Sequence, residues 1–460
     1  MEQKRIQKAE NLDGVRNAFA PEPLDGINLD EENGLYCNCT MENRVDDIHD
    51  SPLDNLFEAC TNPTAQNAHL LLGHRGCGKS TELNQLKRRF KDENYPVVII
   101  DCQYEMDIFN ATHWDLMLLI TDGLCRIAIE QKIDLPPNTV DAVYDFLLQD
   151  IVYETEVDKN TSLGAELGIG TETPPFLGRL FNAFARVKGD MKYSERTREK
   201  ISEKMKKRVS EWEAYTRLIA DYIKNHNDGR EPVLIFESLD KFGFANTPEQ
   251  IFEVFRYNAL ASMPFPIIYT FPISQFYSPQ FADLDGLYST HTLPMIKVIN
   301  KNGTRNSSGI ESIRRIVNLR IAEGFELFSN KSDENGDDVL TVLIVKTGGL
   351  LRHLFECILS AATRAKRAGK TQIELEDANR ALQKIRTDLT KRLEGADYGN
   401  LAAVYNNIKL REEIKDRKFL LSMLQALTLV EYNGERWHDV HPLVADFLAN
   451  LGMVTLRGQK

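Results

Sequence analysis

Asn67-Ala-His-Leu-Leu-Leu-Gly-His-Arg-Gly-Cys-Gly-Lys-Ser-Thr81 runs from a short apolar segment (70–72) through a glycine-rich loop into a helical segment over 81–91. The spacing of Gly73, Gly78, Lys79 and Ser80 is G-x-x-x-x-G-K-[ST], in the strand–loop–helix context that this motif requires. His74, Arg75, Gly76 and Cys77 fill the loop. Glycines at such positions let backbone N–H groups turn inward around phosphates, and the helix N-terminus adds partial positive charge. Lys79 is placed to reach the β- and γ-phosphates, Ser80 to ligate Mg²⁺, and Thr81 to follow in the first turn. The loop is therefore expected to bind ATP or a related nucleoside triphosphate together with Mg²⁺.

Further apolar runs of the buried parallel type lie at 96–102, 232–241, 266–271 and 293–298. Alternating with helical stretches, they predict a doubly wound parallel α/β sheet with its ligand at the strand C-termini. Pro232-Val-Leu-Ile-Phe-Glu-Ser-Leu-Asp-Lys241 ends in acids. Glu237 and Asp240 are expected to polarise the Mg²⁺ water shell and the attacking water, with Glu237 joining Ser80 as metal ligand. Thr270 ends the neighbouring run, where a polar side chain can sense the γ-phosphate. Lys79, Glu237, Asp240 and Thr270 form the expected catalytic set.

These segments, followed by Thr347-Gly-Gly-Leu-Leu-Arg-His-Leu354, resemble the STAND-type signal-transduction ATPases. These are AAA+-related switch proteins that include the NACHT and NB-ARC groups. The resemblance covers roughly residues 67–455. It implies a helical lid after the sheet, in which Arg352 resembles a second sensor pointing back at the phosphates. It also implies a C-terminal winged helix. Val440-His-Pro-Leu-Val-Ala-Asp-Phe447 resembles a segment whose histidine contacts a bound diphosphate, which would give that role to His441; Pro442 departs from the pattern. Glu237 stands where the family has Asp, and Ser238 where hydrolysing relatives carry a second acid. Slow hydrolysis is expected, below about 1 s⁻¹.

The expected domains are an N-terminal arm (1–66), a P-loop core (67–305), a helical lid (306–398) and the winged helix (399–460). Helices are predicted at 309–324, 337–347, 350–367 and 419–426. Asn433-Gly434 signals a hairpin between strands 427–432 and 435–440. Residues 103–230 form an insertion with helices at 113–131, 139–151, 176–187 and 194–225, and a Gly-punctuated segment at 162–170. The face made by Phe176, Leu177, Leu180, Phe181, Phe184 and Val187 reads as core, with an oligomer contact left open. Segment 188–208 is basic, but Glu195, Glu199 and Glu203 recur at helical spacing, the pattern of a solvated, ion-paired helix. The acidic, Pro-bearing start reads as a flexible arm leading to the adenine side of the core.

The 460 residues are 42% hydrophobic and 27% charged, with net charge −12. After residue 340 the balance reverses, to 19 Lys and Arg against 14 Asp and Glu. That asymmetry permits an acidic partner without requiring one. No run approaches the roughly 20 apolar residues of a membrane helix, and no secretory signal follows Met1-Glu-Gln-Lys-Arg5. Seven scattered cysteines suit reduced thiols in a cytoplasm. The resulting expectation is a cytoplasmic ATP-driven switch that oligomerises and controls a separately encoded effector or sensor protein, in prokaryotic anti-phage defence. The alternative is an AAA+ nucleic-acid loader or initiator, with nucleic acid as a possible but less favoured partner. A P-loop metabolic kinase is argued against by the lid and the wing.

Overall fold

Period-two alternation in the apolar runs sends Leu70 and Leu72 to one face of a sheet and Leu71 to the other. Leu234 and Phe236 part from Val233 and Ile235 in the same way, as do Ile267, Tyr269 and Phe271 from Ile268. Both faces are thus apolar and must be covered by helices. The computed structural model describes residues 5–32, 34–39, 51–62, 66–149, 180, 182–189, 195–244, 248–432 and 437–457. Strands β1 (Ala68–Gly73), β2 (Val97–Asp101), β3 (Val233–Glu237), β4 (Ile267–Pro272) and β5 (Ser289–Thr292) form one sheet. Their order is β2-β3-β4-β1-β5 and every pairing is parallel.

One face is covered by the P-loop helix Lys79–Asp92, which buries Leu83, Leu86 and Phe90 at helical spacing. The other receives helix His113–Glu130, which starts from a capping box between Thr112 and Asp115. This helix is buried on nearly all sides, since the insertion helix Val209–His226 packs along it, backed in turn by Pro137–Gln149. At Gly123 an added Cβ would lie 2.7 Å from Ile100 Cδ1, so the helix seats on the sheet only because that side chain is missing.

The expected strand over 293–298 is displaced. The edge strand is the polar segment Ser289–Thr292, and Leu293 N–H donates the next bond to Leu72 O at 2.9 Å. Pro294 has no N–H to continue the ladder. Met295, Ile296 and Val298 are buried instead beneath the lid. There Gly349, at φ +85, packs so tightly that an added Cβ would meet Ile296 O at 2.2 Å.

The helix expected at 194–225 is two, Glu195–Lys207 and Val209–His226, parting at Arg208. Glu203 and Lys207 pair at 2.8 Å as a solvated helix should. Lys188 and Arg198 do not fit that reading. Both are buried, Lys188 against Glu105 and Asp122 at 2.7 and 2.8 Å, and Arg198 against Asp107 at 3.2 Å. Leu180, Phe184 and Val187 are core residues. Phe176, Leu177, Phe181, the 162–170 segment and Asn433-Gly434 lie outside the described residues.

The lid comprises helices Ser307–Asn318, Val339–Lys346, Leu351–Arg367 and Leu375–Thr390. The winged helix has Arg417–Gln425, the antiparallel pair β6 (Leu429–Tyr432) and β7 (Trp437–Val440), and Pro442–Asn450. Tyr432 pairs with Trp437 across the hairpin, and residues 433–436 between them lie outside the described residues. Lid and winged helix share one continuous apolar cluster, to which Leu354 and Ile358 of the lid and Leu420, Leu443 and Leu448 of the wing belong.

The N-terminal residues are not a free arm. Ala9 bridges Ile321 in parallel, and Phe19 sets its ring edge-on to Phe355 at 5.5 Å. Leu24 N–H donates to Thr81 Oγ1 at 3.1 Å.

Candidate functional site

The loop from Gly73 to Ser80 leaves the buried end of β1 and enters its helix through Gly78, at φ +105 and ψ +9. Only glycine adopts that geometry without strain. Gly76 is also left-handed, at φ +88, and is constrained from outside: Arg352 N–H donates to Gly76 O at 3.3 Å, and an added Cβ would lie 2.7 Å from Arg352 Cβ. The lid therefore rests directly on the loop, and Arg352 lines the cleft beside it. Burial and the neighbouring Arg75 both lower the pKa of Arg352.

Lys79 is buried, and its ammonium has three partners: Gly73 O at 2.7 Å, His74 O at 2.9 Å and Asp240 Oδ2 at 2.9 Å. Burial works against the charge, but the Asp240 carboxylate more than offsets it, and the pKa is raised. The buried Cys77 thiol lies close enough to contribute in the same direction. Ser80 lines the cleft with Glu237, at the end of β3, and lies close enough to lower the Glu237 pKa in part. Asp101 is the register partner of Glu237 on β2. Burial raises the pKa of Glu237, and Asp101 and Asp240 add to the effect.

Among the described residues no three His, Cys, Asp or Glu side chains converge as an all-protein metal site. The pair present, one hydroxyl and one carboxylate at a helix N-terminus, suits Mg²⁺, which takes its remaining ligands from phosphate and water.

Thr270 lines the cleft but is engaged by β3. Its hydroxyl donates to Phe236 O at 3.2 Å and accepts Leu239 N–H at 3.0 Å. Ser238 between them is buried and held at φ +69, a left-handed conformation unusual for a side-chain-bearing residue. Thr270 thus holds the turn that presents Asp240 to Lys79.

His441 is not in the cleft. It is fully buried at the N-cap of Pro442–Asn450, where Nδ1 accepts Leu443 N–H at 3.2 Å and Nε2 lies 3.3 Å from His353 Nδ1. Burial sets its pKa well below the usual histidine range. Both ring nitrogens serve the helix start and the lid, so the structure gives His441 no path to a phosphate. The histidine that connects loop and wing is His74. Its Nε2 accepts the backbone N–H of Glu431 in β6 at 2.7 Å, and burial lowers its pKa to about 3. No motif marks this role, because His74 occupies a variable position of the loop pattern.

Beyond the loop, a cleft of about 1060 Å³, counted out to open solvent, continues between the N-terminal segment and the lid. Tyr36 O–H donates to Glu82 Oε2 at 2.8 Å, and Asn84 Nδ2 donates to Leu24 O at 2.9 Å, which pins this segment to the P-loop helix. On the lid side Arg320 lies over the Phe355 ring at 4.8 Å and donates to Ile316 O at 2.9 Å. These wall residues carry no local motif, and only long-range packing brings them to the site.

No family model and no curated protein matches the chain. Among solved structures, it is similar to a Walker-type ATPase of Pyrococcus abyssi at 14% identity and TM-score 0.44, covering 94% of this chain and 99% of that one. It is similar to the ORC2 protein of Aeropyrum pernix, solved as ADPNP–ADP complexes, at 9% identity and TM-score 0.41, covering 94% and 99%. The ORC1 protein of Aeropyrum pernix, solved with DNA, matches at 12% identity and TM-score 0.34, covering 87% and 92%. No described helix is long and apolar enough to cross a membrane.

The raised pKa of Glu237 sets a pH dependence. A carboxyl whose folded pKa lies above its ordinary 4.5 holds its proton to a higher pH, and a protonated carboxyl is a poor Mg²⁺ ligand. The Mg²⁺-dependent part of nucleotide affinity should therefore fall on acidification before an ordinary glutamate would titrate. Calorimetric titrations across that range should show the loss in the native protein and not in Glu237→Gln. Identical profiles would remove Glu237 from the metal site.

Proposed function

We propose that the chain is an AAA+-type P-loop ATPase acting as a nucleotide-dependent switch. The observation that carries this reading is the double attachment of the phosphate loop, to the lid through Gly76 O and to the winged helix through His74 Nε2. A loop that rearranges around phosphates must bias both contacts, which is what a two-state element requires. Lys79 supplies charge to the β- and γ-phosphates, while Ser80 and Glu237 would hold Mg²⁺, which would supply further positive charge at the phosphate oxygens. Asp240 is paired with Lys79, and Ser238 stands where a second acid would activate water. Turnover is accordingly slow, below about 1 s⁻¹.

Two partners fit such a switch, and nucleic acid is the better supported. A winged helix ends the chain, and Arg417 and Lys418 are exposed at the start of the helix preceding the wing. The excess of basic residues after 340 adds to this. No residue of this chain speaks for a separately encoded effector in anti-phage defence.

Lys79→Ala should fold normally and lose nucleotide affinity, because the phosphates lose their main point charge. Calorimetry that finds unchanged binding would end the nucleotide reading. His74→Ala leaves the Glu431 N–H buried without its acceptor, at a cost of about 1–3 kcal/mol. Hydrogen exchange at β6 should accelerate, and exchange as slow as in the native protein would show that wing and loop are not coupled there. For the nucleic-acid reading, DNA binding should weaken steeply with added salt and weaken further in Arg417→Ala/Lys418→Ala. Binding that is absent at low salt, or indifferent to both changes, would leave a protein partner as the alternative.

A further inference from the structure

Cys37 and Cys39 lie on the N-terminal wall of the nucleotide cleft, with their Sγ atoms 3.5 Å apart. Of the seven cysteines, six are buried and Cys37 alone is partly exposed. The pair is therefore open to a small oxidant on one side and has a resolving thiol in van der Waals contact on the other. Arg320, across the cleft, is buried and close enough for its charge to interact with the Cys37 thiol. A neighbouring cation favours the thiolate, the attacking form.

We propose that Cys37 and Cys39 form a reversible intramolecular disulfide that distorts the cleft wall and lowers nucleotide affinity. The co-reactant is a peroxide. The Cys37 thiolate attacks a peroxide oxygen and becomes a sulfenic acid as the O–O bond breaks and the first water leaves. Cys39 sulfur then attacks the sulfenic sulfur, the S–O bond breaks, and a second water leaves. Two thiol protons and two electrons pass to hydrogen peroxide, which ends as two waters.

Closure must shorten the separation from 3.5 Å to the disulfide length of about 2.05 Å across Asn38. The residue before the pair cannot follow freely, because Tyr36 is held at Glu82 on the P-loop helix. The contraction therefore bends the wall, or pulls on the helix that follows the phosphate loop. Both changes act on the cleft.

The proposal rests on the cleft being a nucleotide site, and one experiment separates the two ideas. Full-length protein is treated with hydrogen peroxide, digested with trypsin and weighed, and nucleotide affinity is measured before and after. The tryptic peptide 17–44 contains Cys37 and Cys39 and no other cysteine. The expected result is a peptide two hydrogens lighter and affinity about tenfold weaker, both reversed by dithiothreitol and absent in Cys37→Ser. A peptide that keeps both thiols, or gains oxygen without forming the bond, would overturn the proposal. So would a disulfide that leaves affinity unchanged. Absence of nucleotide binding by the reduced protein would instead overturn the nucleotide reading, whatever the peptide's mass.

Discussion

The imidazole of His74 accepts a backbone N–H from β6, and two residues further along the carbonyl of Gly76 accepts one from the lid. Both points lie on the glycine-rich loop that joins β1 to its helix. Its shape is therefore set from three directions: by β1 and its helix, by the lid, and by the wing. The two contacts differ in kind. At Gly76 the constraint is steric, since even a methyl group would strike Arg352. At His74 it is polar, since a buried imidazole and a buried amide would each lose their partner on separation.

Electrostatics reinforces this arrangement. Lys79, Asp240, Glu237 and Asp101 gather at the C-terminal end of the sheet, where little water screens them. A buried charge is tolerable only when paired. The insertion obeys the same rule, where Arg126 and Lys188 enclose the fully buried Asp122 at 2.8 Å each. At the cleft, burial raises the pKa of Glu237, and Asp101 and Asp240 beside it add to the effect. That cost is what a divalent ion would relieve.

Much of this was legible in the sequence, and the failures have physical causes. The loop motif and strands β1 to β4 could be read because parallel strands covered on both faces must be apolar. The edge strand β5 was hidden by its composition: Ser-Thr-His-Thr292 is half-exposed, whereas the apolar run beside it serves the lid. Lys79, Ser80 and Glu237 could be singled out because their chemistry is tied to local spacing, and Arg352 by resemblance; all four line the cleft. His441, singled out by resemblance, lies outside the cleft, since resemblance to a family segment does not fix where a ring points. Tyr36, Arg320 and the docked N-terminal segment had no signature, since their roles arise from contacts across hundreds of residues.

The apolar cluster shared by the lid and the winged helix has a mechanical consequence. Close-packed interiors do not stretch. The helix after β7, which carries Leu443 and Leu448, packs against the lid helix Leu375–Thr390 and meets the helix that carries Arg352 where His441 touches His353. The polar contact at His74 and the steric contact at Gly76 are therefore two grips of one packed body on the glycine-rich loop.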